Sequence, residues 1–299
     1  MSSETRRQWA LALIFVTPVF WSVNYLVARS APGVIEPHLL ALLRWAAAGV
    51  LFAIPSWREL LRHRAHLAAD WRRYLVLGAL GMWICGAWVY VGGRTTAAVN
   101  IALIYALSPV LIALASALWL EERLGRPQAL GVALALAGVV HVVLQGRWDH
   151  LAGVRLVAGD AWILAATLSW TLYSLLLKRW PSPLSPMAQL AAISAAGVLV
   201  LLPFTAWEVA HAAPPALTLH GFALAMAAAV LPGFAAYLAY AVMQRELGAA
   251  RVAVVLYLGP IYAAGLAWAV LGEPLHGYHA AGMVLVLAGI YLVNRPGAR

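Results

Sequence analysis

A single guanidinium, Arg44, stands inside the apolar stretch ALLRWAAAGVLFAI, and a charge in that setting must be held by something. An arginine at the centre of a bilayer costs about 2.5–3.5 kcal/mol on insertion scales, so a charge kept there is a functional candidate by default. Three readings are open: Arg44 binds a carboxylate, snorkels along its own stem to the nearer surface, or pairs with Glu36. No acid occupies a comparable position, because Glu122, Asp160 and Glu273 all fall at the ends of apolar runs. Coupling to protons through a buried acid therefore has no evident carrier. Catalysis fares no better: His141 and scattered Ser and Thr side chains exist, but there is no HExxH, no GxSxG and no acid at that depth. No catalytic residue is assigned. Cys85 is the only cysteine, which excludes an intrachain disulfide and a cysteine-rich metal site. Neither a metal nor a cofactor is expected.

The apolar stretches do carry aromatic rings. Of the fourteen tryptophans, Trp9, Trp57, Trp71, Trp148, Trp162, Trp180 and Trp207 sit at run ends, as interfacial belts do. Trp21, Trp45, Trp83, Trp88, Trp170 and Trp268 lie inside runs, where the indole N–H wants a partner and the ring offers a stacking face. Grouped with Tyr105, Tyr237, Tyr240 and Tyr257, they suit an aromatic-lined pocket. Asn24, Asn100, Ser108 and Thr171 could satisfy the ammonium and carboxylate of a zwitterion, with help from carbonyls freed by prolines. Candidate substrate contacts are Trp21, Asn24, Trp83, Trp88, Asn100, Tyr105, Ser108, Trp170, Tyr173, Tyr237 and Tyr257. Pro109, Pro260 and the pair Pro232 and Gly233 each interrupt a run, where a lost backbone hydrogen bond survives only against protein or a cavity. These are hinge candidates. Glu122 and Glu273 join them as gating candidates: a negative charge at a helix C-terminus opposes the macrodipole and calls for a partner, such as Arg123, Arg126 or a neighbouring helix terminus.

Positioning these groups falls to membrane helices. The chain has 299 residues, 64% hydrophobic and 10% charged, with a mean hydropathy of +0.84. A soluble domain carries about a quarter charged residues, and only helices or closed barrels satisfy their backbone in hydrocarbon. Long Ala- and Leu-rich runs exclude a barrel. Ten runs are expected to cross: 8–28, 39–56, 74–91, 99–120, 127–145, 160–178, 186–207, 221–243, 251–271 and 279–294. With the N-terminus inside, fifteen Lys and Arg fall in inner segments and four in outer ones, so both termini are expected to be cytoplasmic. The basic residues form no continuous stripe, which argues against nucleic acid despite a net charge of +9. The basic link 57–73 is read as a solvated loop or a short amphipathic helix on the inner surface. Ala129, Ala133 and Ala137 offer a small packing face.

At a shift of 151, Ala98–Val142 aligns without a gap on Ala249–Val293, with fifteen identities over forty-five positions. A shift of 149 pairs Trp21 with Trp170 and Arg29 with Lys178. The chain thus divides into halves 1–146 and 147–299 of five runs each, and an odd number inverts the second half. The fold expected is all-α integral membrane, ten helices as two inverted repeats.

The repeated stretches SPVLIALASALWLEERLGRPQALGVALALAG and GPIYAAGLAWAVLGEPLHGYHAAGMVLVLAG resemble the EamA-type drug/metabolite transporter superfamily. The shared marks are Pro109 and Pro260, Glu122 and Glu273, the polar Gln128 and His279, and Gly131, Gly138, Gly282 and Gly289. Within it, the length, aromatic content and the segment Trp170 to Tyr173 resemble the YddG-type aromatic amino-acid exporters. The resemblance implies a central cavity lined by helices 1, 3, 4, 6, 8 and 9, with helices 5 and 10 peripheral. It further implies a bacterial inner-membrane exporter of aromatic or hydrophobic amino acids, with the lipid bilayer and the small molecule as partners; the inverted halves suit alternating access, for which a monomer suffices, and the oligomeric state is left open. Downhill transport is the default mode. A proton-coupled drug exporter, a carrier of phosphorylated or nucleotide sugars, and a membrane-embedded enzyme are the alternatives. The sugar carrier needs cavity cations, and only Arg44 is available.

Overall fold

A computed structural model describes residues 3–108, 110–112, 115, 125–148, 157–212, 217–247 and 254–293. Within them the structure is helical, without strands. The helices are α1 (Ser3–Ser30), α2 (Pro37–Arg62), α3 (Trp71–Gly92), α4 (Ala98–Tyr105), α5 (Arg126–Val143), α6 (Ala158–Arg179) and α7 (Pro186–His211). There follow α8 (Leu219–Ala228, Ala229–Ala235 and Ala236–Leu247), α9 (Val254–Leu266 and Ala267–Leu271) and α10 (Gly277–Val293). Six, Ala12–Ser30, Pro37–Arg62, Trp71–Gly92, Ala158–Leu177, Pro186–His211 and Leu219–Tyr240, are long and apolar enough to cross a membrane; α4, α5, α9 and α10 give shorter apolar helices. Between α2 and α3 the basic link holds a short helix, Arg64–Ala69, with no buried residue.

The starts are set by local chemistry. Proline opens α2 and α7 at a position whose N–H needs no partner, and Ser185 caps α7 by accepting from Ala188 N. Leu199, Trp207, Trp268 and Val284 are 60–68% exposed, which water would penalise and lipid does not. The tryptophans Trp9, Trp57, Trp71, Trp148, Trp162 and Trp207 are exposed, as belt residues would be.

Among the described residues, three helices are widened by a π turn: Ala79–Ile84 in α3, Ala229–Ala235 in α8 and Ala267–Leu271 in α9. Pro232 explains the second, since it removes a donor inside the helix. The first two begin 150 positions apart, close to the shift at which the sequence repeats. Packing follows the same spacing, with α2 lying along α7 and α5 along α10.

The seam between α5 and α10 is made by glycine. A Cβ on Gly289 would lie 2.5 Å from the Gly131 carbonyl and 2.6 Å from Ala135 N, so the two backbones touch. Gly131, Ala135 and Gly138 are buried, whereas Ala129 and Ala133 point outward. The small face used is therefore not the one the alanine spacing suggests, because glycines allow closer approach than alanines. Gly289→Val should cost about 1–3 kcal/mol through overpacking. The expected result is a lower melting temperature in detergent, while Val284→Ala on the exposed side of the same helix leaves it unchanged.

Candidate functional site

Between the helices lies a cavity of about 920 Å³, its open mouth included. Its walls come from the middles of α1, α3, α4, α6, α8 and α9, as the resemblance implies, and also from α2. On α1, Trp21, Asn24 and Tyr25 fall at i, i+3 and i+4, one face of a helix. On α4, Ala102, Tyr105 and Ala106 repeat that spacing, and Gly81 and Cys85 of α3 are four apart. Gly81 sits in the π turn of α3 and Pro232 in that of α8, so two of the interrupted helices turn their irregular backbone towards the cavity. Pro260 and Gly259 do the same from α9.

Aromatic rings form a box. The Tyr237 ring meets Trp45 and Trp170 edge to face at 6.2 and 6.3 Å between centroids, and Tyr25 leans on Tyr105 at 6.0 Å. Tyr173 stacks behind Trp170 at 5.2 Å and presses on the Gly81 backbone. A side chain at Gly81 would collide with that ring.

Arg44 enters the box from α2. It is 5% exposed and neither snorkels nor reaches Glu36, which bonds Arg94 instead. Its Nη1 donates to Asn24 Oδ1 at 2.8 Å and to the Tyr90 hydroxyl at 2.9 Å, and Tyr90 donates to the same Asn24 oxygen at 2.8 Å. The guanidinium lies 4.5 Å from the Trp45 ring centroid, a cation–π distance. Its Nε is buried without a hydrogen-bond partner.

Of the expected substrate contacts, Trp21, Asn24, Tyr105, Ser108, Trp170 and Tyr237 line the cavity. Trp83, Trp88, Asn100 and Tyr173 do not. Trp83 stacks on Phe204 at 4.1 Å and meets Trp88 at 6.0 Å, and Trp88 meets Trp162 at 5.0 Å, so these rings form a ladder on another face of α3. Asn100 turns instead to Asp160. Tyr173 forms a layer behind the wall. The side chain of Tyr257 lies outside the described residues, as do Pro109 and Glu122. Of the hinge candidates, Pro232 and Pro260 line the cavity, and Gly233 is buried against Ala48. Tyr25, Ala102 and Cys85 were not among the expected contacts, although helical spacing from Trp21, Tyr105 and Gly81 would have pointed to them.

One end of the bundle is tied by polar contacts. Glu273, just past α9, accepts from Arg29 Nε at 2.9 Å and from Ala98 N at 3.0 Å. It thereby caps α4, whose own N-cap residue, Ala97, has no side chain that could do so. Of the partners expected for this glutamate, a neighbouring helix terminus is present, while Arg123 lies outside the described residues. Arg29 also donates to the Gly93 carbonyl beyond α3 at 2.9 Å. Thr95 and Thr96 bond Gly159 N and Asp160 at the start of α6 at 2.9 and 3.0 Å. The ends of α1, α3, α4, α6 and α9 are thus joined.

Such a bundle, with polar closure at one end and a cavity at mid-depth, defines a helical membrane transporter. The family model for the EamA-like transporter family matches residues 8–144 and again 157–295, and the chain belongs to that family. It is similar to the uncharacterized transporter YyaM of Bacillus subtilis, 28% identical over 91% of this chain and 89% of that protein. It is likewise similar to a probable terminal-alkyne amino-acid exporter of Streptantibioticus cattleyicolor, 28% identical over 96% of this chain and 93% of the other. A probable amino-acid metabolite efflux pump of Salmonella typhimurium is 27% identical over 96% and 95%.

Glu273→Gln removes the charge that both Arg29 and the α4 terminus use. Cys85, on the cavity wall, reports the consequence, because no other thiol competes. A membrane-impermeant maleimide applied from the face that carries Arg29 should label Cys85 severalfold faster in the variant than in the parent. Equal rates would show that this cluster does not close that face.

Proposed function

We propose that the chain exports aromatic and hydrophobic amino acids and related metabolites across the bacterial inner membrane. Transport runs downhill by alternating access between two inverted five-helix halves, 1–146 and 147–299, with both termini cytoplasmic. The observation that carries this reading is the cavity itself, an aromatic box at mid-depth holding one cation and, among the described residues, no Asp or Glu. Aromatic faces suit an apolar side chain, and the fixed cation suits a carboxylate. The amino-acid exporter and the metabolite efflux pump among the relatives support the substrate class. Inversion is supported by the family model matching twice, by the recurrence of the π turn in α3 and α8, and by the pairing of α2 with α7 and of α5 with α10. Two inverted halves can exchange conformations, which opens the cavity to alternate sides. With no acid on the wall among the described residues, the cavity has no obvious proton carrier there, which favours downhill movement.

Proteoliposomes loaded with unlabelled tryptophan should show counterflow of labelled tryptophan and phenylalanine without a pH gradient. Movement of a sugar phosphate alone would remove the amino-acid reading, and a strict need for a proton gradient would remove downhill transport. Trp170→Ala opens the box on the α6 side and should slow tryptophan transport severalfold at low substrate. Unchanged rates in a normally folded variant would take Trp170 out of the site. For orientation, a C-terminal green fluorescent protein fusion should fluoresce, and an alkaline phosphatase fusion at the same point should be inactive.

A further inference from the structure

Among the described residues, Arg44 is a buried cation answered only by neutral groups, Asn24, Tyr90 and the Trp45 ring. The acidic side chains whose placement is described, Glu36, Glu59, Asp70, Asp160, Glu208 and Glu273, bond elsewhere: to Arg94, Ser185, Arg73, Thr96, His38 and Arg29 respectively. None lies within ion-pair distance of Arg44. Asn24 and Tyr90 hold the guanidinium through one nitrogen, and Nε has no partner. A buried cation paired only with neutral groups is incompletely compensated, and an entering anion completes it. Asn24, Trp45 and Arg44 itself all lie on the cavity wall, so an anion in the cavity can reach the guanidinium.

The same cavity offers an ammonium much less. Among the described residues no carboxylate lines it; the faces of Trp21, Trp45, Trp170 and Tyr237 supply cation–π attraction, and the hydroxyls of Tyr25, Tyr105, Tyr237 and Ser108 with backbone near Pro232 and Gly259 supply neutral acceptors, none of them a charge opposite to an ammonium. A zwitterionic amino acid therefore meets a charged partner for its carboxylate and only rings and neutral dipoles for its ammonium. An organic acid with the same aromatic body and no ammonium brings only the matched group. From this we infer that Arg44 anchors the substrate's carboxylate and that the α-ammonium is not selected for. The cavity then takes N-acylated or deaminated aromatic amino acids at least as readily as the parent amino acids. This inference rests on reading the cavity as the transport site.

Four indole compounds that differ in charge test it: N-acetyltryptophan, tryptophan, tryptamine and N-acetyltryptophanamide, titrated calorimetrically into the purified full chain in detergent. N-acetyltryptophan should bind at least as tightly as tryptophan, and both should exceed tryptamine and the neutral amide by roughly ten- to a hundredfold, the range of a charge-assisted hydrogen bond. Arg44→Gln should erase the gap between N-acetyltryptophan and its amide, and Arg44→Lys should keep part of it. Tryptamine binding as tightly as N-acetyltryptophan, or a gap that survives in Arg44→Gln, would overturn the inference. Should Arg44→Gln not fold, the wild-type series and Arg44→Lys still decide. If tryptophan binds and moves in proteoliposomes but the wild-type gap is missing, the inference falls and the functional reading stands. Failure of all four to bind would overturn both.

Discussion

In hydrocarbon, a backbone N–H or C=O without a partner costs several kilocalories per mole, so irregular backbone is confined to places where protein or a cavity can answer it. The π turns of α3 and α8 obey that constraint, since Gly81 and Pro232 from within them both face the cavity. Pro260 adds a third interruption on the same wall. The site thus gathers three interruptions, from α3, α8 and α9. In contrast, α5 and α10, which stand away from the cavity, carry no proline inside the helix and spend their glycines on backbone contact with each other. The π turn of α9, Ala267–Leu271, lies off the cavity wall, so two of the three described π turns serve the site.

The electrostatics of the site follow from the same scarcity of partners. A guanidinium at this depth needs several acceptors, and α1 and α3 supply only neutral ones, Asn24 and Tyr90, reinforced by the Trp45 ring. Because Tyr90 donates to the Asn24 oxygen that Arg44 also uses, the three side chains hold one another in place and leave the cation oriented. An acid in their position would have neutralised the charge and removed its hold on a ligand. The neutral triad keeps the positive potential directed into the cavity.

Much of this architecture is legible in the amino-acid sequence. The apolar runs mark the helices, and the prolines at 232 and 260 mark cavity walls, because their chemical consequence in a membrane does not depend on distant partners. Individual rings are harder to place. Trp83 lies two residues from both Gly81 and Cys85, and two residues turn a helix by about 200°, so it points away from the cavity they line. Asn100 stands in the same relation to Ala102. Apolar character on every face of a membrane helix hides which face is inside, and only the spacing within each helix tells. The fate of Arg44 is not legible at all, since Asn24 and Tyr90 lie 20 and 46 positions away and nothing local selects them over Glu36.

The polar closure and the cavity share their helices, and this bears on how transport could be driven. Arg29 is five residues beyond Asn24 on α1, about 7.5 Å along the axis, and Ala98 is four residues before Ala102 on α4. Gly93, whose carbonyl Arg29 holds, follows the α3 segment that contributes Cys85 and Gly86. A helix that shifts to accommodate a ligand against Asn24 or Ala102 therefore shifts one partner of the closure with it. The closure itself is made of one part-buried ion pair, Arg29 31% and Glu273 13% exposed, and single hydrogen bonds to helix ends, groups that entering water can answer when they part. In the proposed alternating-access cycle, ligand entry could then shift the balance between closed and open ends by geometry alone. Arg29, Glu273 and the α4 backbone can part without any of them changing charge, which is in keeping with the downhill transport proposed above.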